Sequence, residues 1–221
     1  MSSPVGLYAY PPATDYGRPI PKSRIYAKAR PSTAVKNAMV NQVESLIWAQ
    51  VLAPRTLNLS ATDAVAEIVV IKVVLKTPDL DLGVLRSIDK AIGNPVIFEL
   101  LHGNKAQGWA AYKRPNDVDA SKWVVGELFG TAWQSAANRL PLPAALDMGL
   151  LYENMLKPLL PLAARRGERL VELVGRVENH QRMVKELLAL KSQLKAEKQF
   201  NRKVELNARV RALSACIEIL A

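Results

Sequence analysis

Histidine and cysteine are nearly missing from this 221-residue chain, which holds two His (His102 and His180) and one Cys (Cys216). Three such residues, far apart in sequence, cannot assemble a Cys/His zinc site, and a lone Cys cannot close an internal disulfide. There is no HExxH, no Walker-type phosphate loop and no GxGxxG. Zinc hydrolysis and the two common routes to nucleotide binding therefore lack sequence support. Long apolar runs are missing too. Ile68-Val69-Val70-Ile71, followed after Lys72 by Val73-Val74-Leu75, falls far short of the ~20 residues that span a bilayer. Met1–Gly6 show neither the basic region nor the apolar core of a secretory leader. The expectation is a cytoplasmic protein with no membrane partner, no metal and no cofactor.

The apolar fraction, 49%, is that of a folded protein. The net charge of +10 is unevenly placed. Residues 1–40 hold six Lys/Arg against one acid, residues 41–163 eleven against twelve, and residues 164–221 thirteen against seven. The excess at both ends points to a polyanion or an acidic protein face, although long solvated helices also carry surplus cations.

Three segments follow from composition and periodicity. Residues 1–31 are rich in Pro and Tyr and read as an extended basic arm. Residues 32–163 read as an α+β domain. Ser32 is a natural N-cap for a helix reaching Leu52, with Val35, Met39, Val43, Leu46, Ile47 and Val51 on one face and Pro54 beyond. Glu67–Lys76 is apolar on both faces, as a central strand is. A short helix follows Asp79 and Asp81, carries Leu82, Leu85, Ile88 and Ile92, and stops at Gly93, a natural C′ residue. Pro95–His102 and Lys105–Lys113 flank the turn residues Gly103-Asn104, and Lys122–Trp133 suits a further strand. The fold class is a mostly antiparallel four-stranded sheet with packed helices. Asp147–Leu160 reads as a closing helix.

Residues 164–221 carry heptads, as a basic helical hairpin or coiled coil. Leu170, Leu173, Val177, His180, Val184, Leu187, Lys191 and Leu194 form one 3-4 series. Leu206, Val210, Leu213, Ile217 and Leu220 form a second, two residues out of phase with the first. The break falls at the polar block Glu197–Asn207. Either the helix turns near Phe200, or one long helix rotates its seam there. Glu197, Gln199, Phe200, Asn201, Glu205 and Asn207 are the residues expected to shape that block.

Catalytic signals are poor, and no catalytic residue is assigned. His180 occupies a seam position that sets register, and His102 ends a hairpin. A carboxylate-metal nuclease would draw on Asp79, Asp81, Glu99 and Glu127 with Lys113 as helper, but the usual constellation is missing. Trp48, Trp109, Trp123 and Trp133, with Tyr112, are either core packing or a stacking platform for single strands. The residues placed to contact nucleic acid or an acidic partner are Lys22, Arg24, Lys28 and Arg30 near one end. Near the other they are Lys195, Lys198, Arg202, Lys203 and Arg209.

In order along the chain, Ile20-Pro21-Lys22 with Ile25-Tyr26, Leu57-Asn58-Leu59, Ile88–Ile92, Pro95–Phe98, Tyr112-Lys113, Leu151-Tyr152-Glu153 and the Glu197–Asn207 block resemble an uncharacterised bacterial family of unknown function. The Tyr/Pro-rich first 16 residues depart from its pattern and look like an extension. The resemblance implies genes lying beside Swi/Snf-type helicases and DNA methyltransferases in restriction or phage-defence islands. It thereby implies a non-catalytic accessory subunit docking such an enzyme and touching DNA phosphates. Two alternatives stand beside it: a divergent metal-dependent nuclease, and a coiled-coil scaffold that self-associates through its C-terminal helices without a nucleic-acid role.

Overall fold

A computed structural model describes residues 6–116, 118–119 and 123–220. They form two compact units, one ending at Leu159 and the other starting at Leu160. In chain order the first unit contains β1 (Tyr8–Ala9), β2 (Asp15–Pro19), α1 (Lys22–Ala29), α2 (Thr33–Gln42), β3 (Val43–Leu52), α3 (Pro54–Leu57), β4 (Ile68–Leu75) and α4 (Leu82–Ala91). It continues with β5 (Val96–His102), β6 (Lys105–Pro115), β7 (Trp123–Gly130), β8 (Gln134–Ser135), β9 (Leu140–Pro141) and α5 (Met148–Leu156). The second unit contains α6 (Leu170–Ala196) and α7 (Phe200–Leu220).

The fold is α+β, with seven described strands in the main sheet where the sequence suggests four. Their order is β2-β3-β4-β5-β6-β7, with β8 also on β6. Neighbours are antiparallel except β4 and β5, which run parallel and are joined by α4. β4 is central, and its Ile68, Val69, Val70, Ile71 and Val73 are wholly buried. Alternation along each strand divides the core. Val69, Ile71, Val73, Phe98 and Leu100 meet Ile25 of α1, Met39 of α2 and Val84, Leu85 and Ile88 of α4. Over the other face, the Tyr152 hydroxyl of α5 accepts from Lys113 N (2.9 Å) and donates to the Ala111 carbonyl (2.9 Å). That hydroxyl bridges the bulge between Ala111 and Lys113.

Three expectations are corrected. Residues 22–29 of the expected extended arm are helical, and β2 is an edge strand of the sheet. Ser32 does cap α2, its Oγ accepting from Val35 N at 3.4 Å. The helix nevertheless stops at Gln42, and Val43–Leu52 is a strand on β4. Its β-branched and aromatic residues suit either reading, and the stop comes from afar. The Lys22 ammonium donates to the carbonyls of Met39 (3.0 Å) and Val43 (2.6 Å), and Lys76 Nζ donates to that of Val40 (2.9 Å). Gly93, expected in the left-handed C′ conformation, is not among the positive-φ residues. Here too a lysine closes the helix: Lys113 Nζ donates to the carbonyls of Asp89 (2.9 Å), Ile92 (2.6 Å) and Asn94 (3.1 Å). Carbonyls left open at a helix end need donors, and cations there also suit the dipole. The expected strand start at Lys122 lies outside the described residues.

In the second unit the two helical series pack as a hairpin. The phase break is a turn at residues 197–199. Glu197 Oε1 accepts from Lys198 N (2.8 Å) and Gln199 N (2.9 Å). Leu190 and Leu206 are the buried residues nearest that turn. At the hairpin's other end Arg176 donates to the Leu220 carbonyl (2.7 Å) and holds Glu168 through both carboxylate oxygens (2.8 Å each). Among the described residues no helix is long and apolar enough to cross a membrane.

Candidate functional site

A cleft of about 380 Å³ opens where β2, α1, β3 and the C-terminal end of α4 meet. Arg18 and Trp48 are register partners across the β2–β3 pair, which puts the strand edge and the indole side by side. Tyr16 sits 5.6 Å from the Trp48 ring, tilted by 58°. The Arg18 guanidinium lies over the Tyr16 ring at 4.9 Å. Trp48 is half-buried against the core, and its indole N–H has no hydrogen-bond partner among the described residues.

The opposite wall comes from α1. Arg24 and Lys28 are one helical turn apart, both exposed, and both line the cleft. Helix α1 is fixed by Ile25 and Ala29 in the core. Ala91, Ile92, Gly93 and Asn94 complete the lining, with Asn94 Nδ2 anchored on Glu67 at 3.0 Å. Arg18, Arg24 and Lys28 therefore face the cleft, while no carboxylate occurs among its described lining residues.

Of the basic residues singled out near the N-terminus, Arg24 and Lys28 come together here. Lys22 is committed to the end of α2, and burial together with the nearby Lys76 charge lowers its pKa. Arg30 is the left-handed C-cap of α1 (φ 49°). Lys195, Lys198, Arg202 and Lys203 are exposed around the turn of the hairpin, and Arg209 reaches Glu186 at 4.0 Å. Of the turn block, Glu197 is the residue whose side chain closes it. Gln199, Phe200, Asn201, Glu205 and Asn207 are exposed. Sequence reading missed Arg18 and Tyr16, because they join the site only once β2 pairs with β3.

The four tryptophans do not form one platform. Trp109 bonds Gln107 (3.1 Å), Trp133 stands edge-on to His102 (6.4 Å), and Trp123 lies against the Lys113 ammonium (5.7 Å). The proposed nuclease carboxylates are equally dispersed. Asp81 caps α4 by accepting from Gly83 N at 2.8 Å, Asp79 is exposed, and Glu127 pairs with Arg86. Glu99, wholly buried, is held through both oxygens by Arg139 at 2.8 and 3.0 Å. That hydrogen-bonded carboxylate raises the Arg139 pKa further. Burial, then the Glu99 charge, pushes the nearby Tyr10 phenol well above its usual range. Lys113 pairs with Asp89 instead of any of these. Among the described residues no three His, Cys, Asp or Glu side chains are grouped to hold a metal ion.

No curated protein and no solved structure matches the chain. A family model does, over residues 9–217, so the match begins inside the Tyr/Pro-rich stretch that the sequence suggests is an extension. The chain belongs to the family described as a domain of unknown function, DUF4391.

Proposed function

We propose that this protein is a non-catalytic accessory subunit that holds nucleic acid by its phosphates, working beside a helicase or DNA methyltransferase of a bacterial restriction or phage-defence system. The observation that carries the nucleic-acid part is the cleft, with three cations, two aromatic rings and no carboxylate among its described lining residues. A wall of fixed positive charge attracts phosphate whatever the sequence, and releasing condensed counterions makes the binding salt-dependent. Arg24 and Lys28 have no acidic partner among the described residues, so their charge faces outward instead of being neutralised within the protein. The enzyme partner rests on the genomic setting that the family resemblance implies.

The test is fluorescence anisotropy of labelled oligonucleotides across a salt series, with Arg24→Gln and Lys28→Gln. Each substitution should weaken binding to all sequences alike and reduce the log–log salt slope by about one unit. Binding and slope unchanged in the double variant would remove the cleft from the reading. Pull-down of the tagged chain from its host would identify the helicase or methyltransferase, and recovery of neither would remove the enzyme partner.

A further inference from the structure

We infer that the cleft takes an unpaired nucleotide of a single strand, with its base against Tyr16 and Trp48 and its phosphates on Arg24 and Lys28. This rests on the nucleic-acid reading above and names the form of nucleic acid.

The aromatic residues decide between strand forms. Tyr16 is 43% exposed on a strand whose five residues are all exposed, so core packing does not account for its ring. A base offers its face to such a ring only when it is not stacked within a duplex, and base–aromatic stacking is the usual adhesive of single-strand binders. Phosphate contact alone would need the cations and no rings. Trp48 adds a second ring to the lining, 5.6 Å from that of Tyr16.

The charges fix the orientation. Residues 91–94 bring no free cation to the cleft, because the ammonium that closes α4 there, Lys113, is buried and spent on its carbonyls. Phosphates therefore belong on α1, where Arg24 and Lys28 stand one turn apart on a helix anchored by Ile25 and Ala29. The base is left to the Tyr16–Trp48 side, with Gly93 also in the lining. A volume of about 380 Å³ lies at the small end of the range for ligand pockets, which suits one nucleotide. Arg18, already over Tyr16, adds a planar cation beside the base. A free mononucleotide is normally held through a glycine-rich loop or helix N-terminus. The cleft is lined instead by a strand edge, the side of a helix and a helix C-terminus, and two cations in file suit consecutive phosphates.

The experiment compares a labelled single-stranded oligonucleotide with the same sequence as a duplex, using four proteins: wild type, Tyr16→Ala, Gly93→Leu and Arg24→Gln/Lys28→Gln. A Cβ at Gly93 meets nothing within 4 Å, and its φ suits a side chain, so Gly93→Leu adds bulk to the cleft lining without strain. Melting temperatures of both single variants should stay within about a degree of wild type. The single strand should bind at least tenfold more tightly than the duplex. Tyr16→Ala and Gly93→Leu should each weaken single-strand binding roughly tenfold and leave duplex binding unchanged. The Arg24/Lys28 variant should weaken both. If single strand and duplex bind alike and Tyr16→Ala and Gly93→Leu change neither, the inference is overturned while the phosphate-binding reading stands. If the Arg24/Lys28 variant also binds as wild type, both fall. If a mononucleotide displaces the probe as well as the oligonucleotide does, nucleotide for nucleotide, the cleft holds a free nucleotide and the strand is overturned.

Discussion

Lys113 Nζ lies 3.2 Å from Asp89 Oδ1, with the two side chains 2% and 3% exposed. Asp89 Oδ2 has no hydrogen-bond partner among the described residues. Burial raises the Asp89 pKa against the pull of Lys113, and lowers that of Lys113 against the pull of Asp89. The pair is thus poorly satisfied on the acid and fully used on the base, because the same ammonium also terminates α4.

That asymmetry gives an ordering. Lys113→Met strands a buried carboxylate and takes a side-chain donor from three carbonyls at and just beyond the end of α4, and should cost about 3–5 kcal/mol in urea unfolding. Asp89→Asn should cost clearly less, since the ammonium keeps its three carbonyls. Equal losses in the two variants would show that the ion pair, not the helix end, is what Lys113 serves.

Tyr152→Phe isolates one hydroxyl. It is the partner of both Lys113 N and the Ala111 carbonyl at the β6 bulge, in a fully buried site whose desolvation drives the phenol pKa far upward. Removing it leaves two buried backbone groups unmade, at about 1–3 kcal/mol. The Lys113 amide should also lose protection in hydrogen exchange. Unchanged exchange at that amide would show that the bulge holds its own geometry.

The same long-range contacts explain what sequence reading could reach. β4 and the β5–β6 hairpin were legible because an apolar run or a Gly103 turn sits within the segment itself, and Asp81 marks the start of α4 as a local cap. The end of α2 was not, because its stop signals, Lys22 and Lys76, lie 17 to 36 residues from the carbonyls they cap. Val43–Leu52 then continued a helical pattern on paper while its partner strand lay elsewhere. Losing β3 concealed β2, and with it the Tyr16–Trp48 contact. The cations of α1 were visible as charge, but their relation to the Tyr16 and Trp48 rings was not.

Acid sensitivity of the second unit should trace to Glu168. Hydrogen bonds from Arg176, then from the Arg165 backbone N–H, lower its carboxyl from the usual 4.5 to about 2. A carboxyl lowered in the folded state adds stability that is complete above 4.5 and vanishes as pH falls through 2. The gap in melting temperature between wild type and Glu168→Gln should therefore be constant from pH 7 down to about 5, shrink below 4.5 and close near 2. Circular dichroism at 222 nm across that range measures it, and a gap that widens in acid would reverse the sign.

The hairpin turn separates a structural carboxylate from surface cations in one stretch of sequence. Glu197 accepts two backbone N–H groups at the start of α7, and these bonds lower its pKa. Lys198, Arg202 and Lys203 are exposed, and the nearest carboxylate contact among them is Arg202 to Glu197 at 3.8 Å. Exposed pairs of that kind contribute little. Glu197→Ala should therefore lower the melting temperature measurably, since the Lys198 and Gln199 amides of the turn lose their acceptor. Lys198, Arg202 and Lys203 together replaced by Gln should leave the melt nearly unchanged. If that triple variant also keeps wild-type oligonucleotide affinity and salt slope, the tip is solvated surface and the cleft carries the binding. If affinity falls and the slope flattens by about one unit per lost phosphate contact, the tip holds a second stretch of the nucleic acid.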